Sequence, residues 1–287
     1  MEDGFSLRDS TVGIYGLGLM GGSLAMGLTG HCARLIGFDA DPSTLELALS
    51  RNIIDQVESI TKGKVLRIRV DLLILATPIP IIINIIQQLP SLISHPCIIM
   101  DIGSTKRDIL QAMSVLPDNF DPIGGHPICG KEKLGLENAD GSLYQNAPFV
   151  ITPVERTTHR AKSAAKQIIS MVGANCIEMS ADDHDRILAT TSHLPFLISS
   201  ALTSSMPDEF TPLIGSGFRS TSRLAGTPSS MMMGVLKSNR ENILTAIQQF
   251  RSSLYEIESA LQNEDDTELE NILNRSRDSY LLLSGNP

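Results

Sequence analysis

The sequence predicts an α/β domain built on a mostly parallel, doubly wound sheet, followed by an all-α C-terminal domain. Strand-like and helix-like patterns alternate from the first apolar segment to about residue 180, and only helical patterns follow. A glycine-rich turn joins the first strand to the first helix. Such alternation implies right-handed crossovers between parallel strands. We therefore divide the 287-residue chain into residues 1–179 and residues 180–287.

Composition narrows the class of protein. A hydrophobic content of 42% and a charged content of 19% are typical of a globular protein. The net charge of −9 provides no basic face for nucleic acid. The four cysteines form no C-x-x-C pair, so no metal site is expected. Prolines interrupt the longest apolar stretch, residues 72–86, which is unlike a membrane span. We expect a cytoplasmic protein that binds small molecules and no membrane.

The glycine-rich turn has the spacing of a dinucleotide-binding turn. It reads GLGLMGGS at residues 16–23 and fits G-x-G-x-x-G. Gly16 permits a tight turn, Gly18 lets the backbone approach a pyrophosphate, and Gly21 lets the next helix lie close to the strand. The N–H groups of that helix then face the phosphates. This pattern indicates a Rossmann-like domain, and the cofactor contacts expected from the turn are Gly16, Leu17, Gly18, Met20 and Gly21.

Two later strand ends complete the predicted cofactor site. Asp39 ends the apolar run at residues 35–38, at about the expected distance beyond Gly16. A carboxylate there accepts hydrogen bonds from a ribose 2′-hydroxyl and repels a 2′-phosphate, which favours NAD over NADP. Thr77 and Pro78 follow the next buried strand, at the edge where a parallel sheet presents its ligand-facing loops.

The remaining elements of the first domain follow from the same patterns. A helix opens at residues 41–43, and a strand over residues 97–102 leads into a segment where Ser104 opens the next helix. A glycine-rich loop is predicted at residues 124–127. Residues 147–179 then add a β-α-β-like piece to the sheet.

The second domain is predicted to be helical throughout. Ser180 can cap a helix together with Asp183, three residues later. Apolar residues recur at helical spacing over residues 242–261, and an apolar face continues to about residue 283. An apolar face of this size in a small helical domain is often shared with a second subunit, so we expect a homodimer.

Five polar residues are candidates for the chemistry. His126, in GGHPICGKE, is a candidate general base, since an imidazole titrates near neutral pH. Ser104 could orient that imidazole or cap its own helix. His193 lies in a helix kinked or stopped near Pro195, where a buried structural histidine is the simpler interpretation. His126 could likewise merely stabilise its loop. The other four histidines are interpreted as structural.

Two arginines complete the set. Arg219 and Arg223 are four residues apart and would share one face of a helix. Two guanidinium groups on one face suit a substrate that carries a carboxylate. The alternative is a pair of solvated arginines.

These motifs resemble the prephenate/arogenate dehydrogenase family of tyrosine biosynthesis, and the match runs in order to about residue 225. The elements that carry the resemblance are GLGLMGGS (16–23), ATPIP (76–80), DIGSTK (101–106), GGHPICGKE (124–132), SHLP (192–195) and GFRSTSR (217–223). The GFRSTSR stretch looks like that of the cyanobacterial arogenate dehydrogenases, some of which prefer NADP, whereas Asp39 favours NAD.

The resemblance implies an NAD(P)-dependent oxidative decarboxylation of a cyclohexadienol. His126 would accept the proton of the C4 hydroxyl while hydride leaves C4, and loss of carbon dioxide would aromatise the ring. Ser104 would orient the site, and His193 would place substrate or nicotinamide. Arg223 would bind a substrate carboxylate, and Glu132 would pair with an arginine at the entrance.

Departures from the family pattern bear on the substrate. Phe196 stands where many relatives have a second histidine, and Ser220 stands where they have an acidic residue. Losing a cationic group weakens recognition of a second anionic feature, which favours arogenate over prephenate. Two rival functions remain at this point: a β-hydroxyacid dehydrogenase and a non-catalytic dinucleotide sensor. The first uses a lysine in its helical domain, and only Lys237 follows residue 180.

Overall fold

A computed structural model describes residues 4–58, 69–131 and 133–283 of the chain. They pack as two compact units that divide between Asn239 and Arg240. The predicted division at residue 180 stays a prediction. No helix among the described residues combines the length and the apolar character that crossing a membrane requires.

The first unit contains one eight-stranded sheet. Its strands are β1 (Thr11–Tyr15), β2 (Arg34–Phe38), β3 (Gln56–Val57), β4 (Leu72–Leu75), β5 (Cys97–Asp101), β6 (Phe120–Pro127), β7 (Pro148–Pro153) and β8 (Asn175–Glu178). They lie in the order β3-β2-β1-β4-β5-β6-β7-β8, and every neighbouring pair is parallel except β6 and β7. The predicted, mostly parallel sheet is confirmed. The predicted β-α-β piece is present as β7 and β8, which pair in parallel.

Helices separate the strands and then continue alone. Those within the sheet region are α1 (Leu19–Leu28), α2 (Pro42–Ser50), α3 (Ile79–Leu92), α4 (Arg107–Ser114) and α5 (His159–Met171). Those that follow in the first unit are α6 (Ala181–Leu188), α7 (Leu194–Ser204), α8 (Ser216–Ser222) and α9 (Ser229–Ser238). The second unit consists of α10 (Arg240–Gln262) and α11 (Asp266–Leu283). No strand occurs between residues 180 and 283, which confirms the all-α C-terminal region.

The central strands are buried on both faces. Successive residues of β4 point to opposite sides, so Leu72 and Ile74 join the apolar layer that also contains Leu24 of α1. Leu73 and Leu75 join the layer on the other side, with residues of α3 and α4. A strand covered on both faces needs apolar residues at every position. This explains why β4 appears in the sequence as one unbroken apolar run.

Two sequence predictions near the site need correction. Residues 124–127 are the end of β6 and not a loop, because each of them pairs with a residue of β7. Gly124 and Gly125 are required by crowding: a Cβ on Gly124 would collide with Thr152, and one on Gly125 with Met100. The helix after β5 begins at Arg107, so Ser104 does not open it.

Candidate active site

The glycine-rich turn leaves space for a ligand at the carboxyl end of β1. Gly16 has a φ of +95°, which residues with a side chain rarely adopt. A Cβ on Gly21 would lie 1.8 Å from the carbonyl oxygen of Gly16, whereas one on Gly18 would meet no atom within 4 Å. The N-terminus of α1 has no side-chain cap. The open side of Gly18 and these N–H groups fit the pyrophosphate of a dinucleotide.

Asp39 lies at the edge of this turn, as predicted. Its Oδ2 accepts a hydrogen bond of 2.7 Å from the Leu17 N–H, and its Oδ1 accepts one of 3.0 Å from the Asp41 N–H. These bonds fix the carboxylate beside the turn and leave lone pairs for a ribose hydroxyl.

Thr77 and Pro78 lie where β4 leads into α3. Thr77 Oγ1 is buried and has no hydrogen-bond partner among the described residues. A Cβ on Gly16 would lie 2.7 Å from Thr77 Cγ2, so this side chain is adjacent to the glycine turn. Pro78 is the residue immediately before α3. An unpaired buried hydroxyl at this position fits a polar group of the cofactor.

A cleft of about 730 Å³ adjoins the turn. The predicted residues that it brings together are Gly18, Met20, Ser104, His126, His193 and Arg223. Apolar side chains, among them Phe196, line much of the rest. A largely apolar cavity with a few convergent polar groups is typical of a small-molecule site.

His126 lies at the end of β6 and is linked to two residues of α6. Its Nδ1 is 2.8 Å from His184 Nε2, and His184 Nδ1 is 2.7 Å from Asp185 Oδ1. Burial, followed by the nearby His184 and Lys106, lowers the pKa of His126 well below its ordinary value. The imidazole is therefore neutral at pH 7 and able to accept a proton.

His184 and Asp185 are functional candidates that were not predicted from the sequence. His184 was interpreted as structural, yet it is fully buried and contacts His126. Asp185 also accepts the N–H groups of Lys106 and Arg107, at 2.8 Å and 2.9 Å. Burial raises its pKa, but the bond from His184 and those two N–H groups outweigh burial and hold the pKa below the ordinary value. The adjacent His–Asp pair in the first turns of α6 was the available indication.

His193 lies in a π-helical turn, Ala189–His193, that leads into α7. The predicted irregularity before Pro195 is confirmed. His193 Nδ1 is 3.2 Å from Asn239 Nδ2, and the same Nδ2 donates to the Asp185 carbonyl oxygen at 2.6 Å. Burial is the main reason that the pKa of His193 is lowered to about 4. His193 is therefore a neutral side chain held at the wall of the cleft.

Ser104 lines the cleft, but its hydroxyl forms no hydrogen bond with the described part of the chain. Direct orientation of His126 by Ser104 is therefore not seen, and His184 occupies the Nδ1 side. Lys106 forms a buried ion pair with Asp101 close to His126. Lys106 Nζ also donates to the Gly125 carbonyl oxygen at 2.6 Å. Through that bond the ion pair holds the residue before His126 in place; neither of its residues was predicted from the sequence as part of the site.

The two arginines lie in different helical elements. Because α8 ends at Ser222, Arg223 lies in the following 3-10 turn and lines the cleft. Arg219 is exposed, does not line this cleft, and donates to the Ile214 carbonyl oxygen at 3.4 Å. Glu132 lies outside the described residues.

A dinucleotide turn beside a cleft with a neutral histidine and an arginine defines a nicotinamide-dependent oxidoreductase. Residues 24–178 match the family described as prephenate dehydrogenase, nucleotide-binding domain, and residues 180–275 match its dimerization domain. The chain belongs to the prephenate dehydrogenase family.

Individual relatives agree with this membership. The chain is 30% identical to prephenate dehydrogenase of Bacillus subtilis, covering 89% of this chain and 71% of that one. A structure of prephenate dehydrogenase from A. aeolicus, in complex with hydroxyphenyl propionate and NAD+, has a TM-score of 0.88 at 28% identity, covering 97% of this chain and 100% of that one. Synechocystis arogenate dehydrogenase has a TM-score of 0.81 at 31% identity, covering 94% and 99%.

The predicted reaction class is confirmed. The protein is an oxidoreductase of tyrosine biosynthesis, a prephenate/arogenate dehydrogenase that performs a nicotinamide-dependent oxidative decarboxylation. Family membership favours this function over the β-hydroxyacid dehydrogenase and the dinucleotide sensor.

Proposed function

We propose that this enzyme oxidises arogenate in preference to prephenate, with His126 as the general base and NAD as the preferred cofactor. The observation that carries the proposal is the neutral imidazole of His126 in the cleft that also contains Gly18. The bound nicotinamide would accept the hydride that leaves the substrate ring. His126 would take the proton of the ring hydroxyl, and aromatisation after loss of carbon dioxide would drive the reaction.

Arg223 would bind a substrate carboxylate, since it is the predicted arginine that reaches the cleft. Ser104 and His193 remain proposed site residues because both line the same cleft as His126. His193 is neutral, so it would place a ligand by hydrogen bonding and not by charge. Arg219 and Glu132 stay predictions from the sequence alone.

The preference for arogenate follows from the charge of the substrate side chains. Both substrates carry a ring carboxylate, but the pyruvyl side chain of prephenate is an anion, whereas the side chain of arogenate is a zwitterion. Phe196 lines the cleft and offers no positive charge for a second anion. The absence of that cation therefore penalises prephenate more than arogenate. The similarity to Synechocystis arogenate dehydrogenase supports the same choice.

The preference for NAD depends on Asp39. Its carboxylate is fixed by the Leu17 and Asp41 N–H groups, so it cannot easily turn away from a 2′-phosphate. A negative charge held next to the ribose disfavours NADP. The A. aeolicus relative in complex with NAD+ is consistent with this choice.

A homodimer is the proposed assembly, formed by the C-terminal helices. Several apolar side chains of α10 and α11 are exposed, among them Leu254, Leu261 and Leu273, at 52%, 59% and 55%. Exposed apolar residues at this density indicate a surface that another chain covers. The matching family description, a dimerization domain, supports this proposal. The division into residues 1–179 and 180–287 and the cytoplasmic location are proposed on the sequence evidence.

Steady-state kinetics with two substrates and two cofactors tests these proposals. Reduced-nicotinamide absorbance is followed with prephenate and with arogenate, each combined with NAD and with NADP. We expect the highest kcat/KM for arogenate with NAD. A higher kcat/KM for prephenate overturns the substrate proposal, and a higher kcat/KM for NADP overturns the cofactor proposal.

A further inference from the structure

We propose that His184 and Asp185 are positioning residues that fix the tautomer of His126, so that its Nε2 is the proton acceptor. This inference rests on the proposed role of His126 as the base. It starts from a continuous chain of contacts: His126 Nδ1 to His184 Nε2 at 2.8 Å, and His184 Nδ1 to Asp185 Oδ1 at 2.7 Å. The three side chains belong to two elements, β6 and α6, that are distant in sequence.

The carboxylate determines the direction of every hydrogen bond in this chain. Asp185 accepts the N–H groups of Lys106 and Arg107, so both of its oxygens act as acceptors. An ionised carboxylate can only accept, and His184 Nδ1 must therefore carry the hydrogen that joins it to Asp185. With that hydrogen on Nδ1, the other ring nitrogen of His184, Nε2, is the acceptor in the hydrogen bond to His126.

The hydrogen on His184 in turn determines which nitrogen of His126 carries a hydrogen. Because His184 Nε2 accepts, His126 Nδ1 must be the donor. A neutral imidazole has one N–H, so His126 Nε2 is left without a hydrogen and can take the hydroxyl proton. Asp185 thus selects the reactive tautomer of His126 through one intervening side chain, that of His184.

Asp185 also compensates the charge that forms on His126. When Nε2 of His126 gains the hydroxyl proton, the ring becomes a cation hydrogen-bonded through Nδ1–H to His184. His184, Lys106 and His193 act on the charge of this ring, and Lys106 is already paired with Asp101. Cys129, Lys131 and Arg223 line the same cleft. Asp185 is the anion linked to this ring by hydrogen bonds, through His184.

A purely structural role for Asp185 is the alternative. Its carboxylate binds the first N–H groups of α4, a helix that has no side-chain cap of its own. Loss of this cap would loosen α4 without affecting the protonation of His126. Two variants separate the roles. Asp185→Asn removes the charge, whereas His184→Phe breaks the link to His126 and keeps the carboxylate on α4.

Kinetics and nitrogen NMR test the inference on the full chain with its cofactor and substrate. We expect both variants to lower kcat on the order of 10²-fold, since a general base contributes about 10²–10⁴-fold, with cofactor Kd nearly unchanged. Asp182→Asn, an exposed residue of α6 paired with Arg107, is the matched control and should keep the wild-type kcat. In the wild-type protein, the 15N spectrum should show His126 protonated on Nδ1 and bare on Nε2.

Two results would overturn the inference: wild-type kcat in both variants, or a wild-type His126 protonated on Nε2. The NMR result does not depend on a variant that folds. His126→Asn distinguishes failure of the inference from failure of the proposed function. If His126→Asn is inactive while His184→Phe and Asp185→Asn are fully active, only the positioning role of His184 and Asp185 is wrong. If His126→Asn is also fully active, the proposed base is wrong.

Discussion

Replacing two glycines of the dinucleotide turn by alanine should have opposite consequences. A Cβ on Gly21 would lie 1.8 Å from the Gly16 carbonyl oxygen, whereas unstrained contacts begin at about 3.4 Å. Helix α1 would have to withdraw by about 1.6 Å from β1. Overpacking of this kind costs about 1–3 kcal/mol, and the upper end applies because a backbone oxygen cannot rotate away.

Thermal unfolding and cofactor binding measure the two consequences separately. For a domain of this size about 3 kcal/mol corresponds to a Tm lower by about 6–12 °C, which we expect for Gly21→Ala. Gly18→Ala should keep the wild-type Tm, because its Cβ meets no atom within 4 Å. It should nevertheless raise the Kd for NAD+ about tenfold or more, since the methyl group occupies the space that the pyrophosphate needs.

Two results would contradict this description of the turn. A wild-type Tm for Gly21→Ala would show that the close contact of α1 with β1 is not as described. Unchanged affinity of Gly18→Ala for NAD+ would show that the pyrophosphate does not approach this glycine.

Three further predictions concern substrate binding, cofactor choice and acid stability. Arg223→Ala should raise the KM for the substrate about tenfold or more, because a charge-assisted hydrogen bond to its carboxylate is lost. Replacing the exposed Arg186 by alanine is the control and should leave KM unchanged. An unchanged KM in Arg223→Ala would exclude the carboxylate role of Arg223. Asp39→Ser should reduce the discrimination against NADP, measured as the ratio of kcat/KM for NAD to that for NADP. An unchanged ratio would show that Asp39 does not determine cofactor choice. With a folded-state pKa of about 4 against 6.5 for the free group, His193 takes up protons more readily when unfolded. Its contribution to stability is therefore present above pH 6.5 and falls by up to about 3 kcal/mol towards pH 4. The free energy of unfolding in urea, measured from pH 7 to pH 4, should fall more steeply for the wild type than for His193→Gln, by this amount. The same pH dependence in both proteins would contradict the prediction.

Much of the sheet could be predicted from local sequence because each central strand is covered on both faces. The unbroken apolar run of β4 and the apolar run of β5 reflect that burial directly. Residues 124–127 were misinterpreted because glycine is usual in loops. Here glycines are needed for close approach of β6 to its neighbours, which only the packing shows.

The positioning residues could not be predicted for a different reason. His126 and His184 are 58 positions apart, and Lys106 and Asp185 are 79 apart. A family motif contains His126. The adjacent His184 and Asp185 are the one local indication of a second pair, but adjacency alone does not distinguish a buried pair that contacts His126 from two exposed polar residues. Their burial and hydrogen bonds arise from the packing of α6 against α4. Long-range contacts of this kind are set by tertiary structure.

Hydride transfer in His126→Asn tests the central claim most directly. Asparagine keeps a polar group of similar reach but cannot take up a proton at pH 7. In a single turnover with saturating arogenate and NAD+, reduced-nicotinamide absorbance should form at least about 10²-fold more slowly than in the wild-type protein. The Kd for NAD+ should be nearly unchanged. Hydride transfer at the wild-type rate would contradict the assignment of His126 as the base.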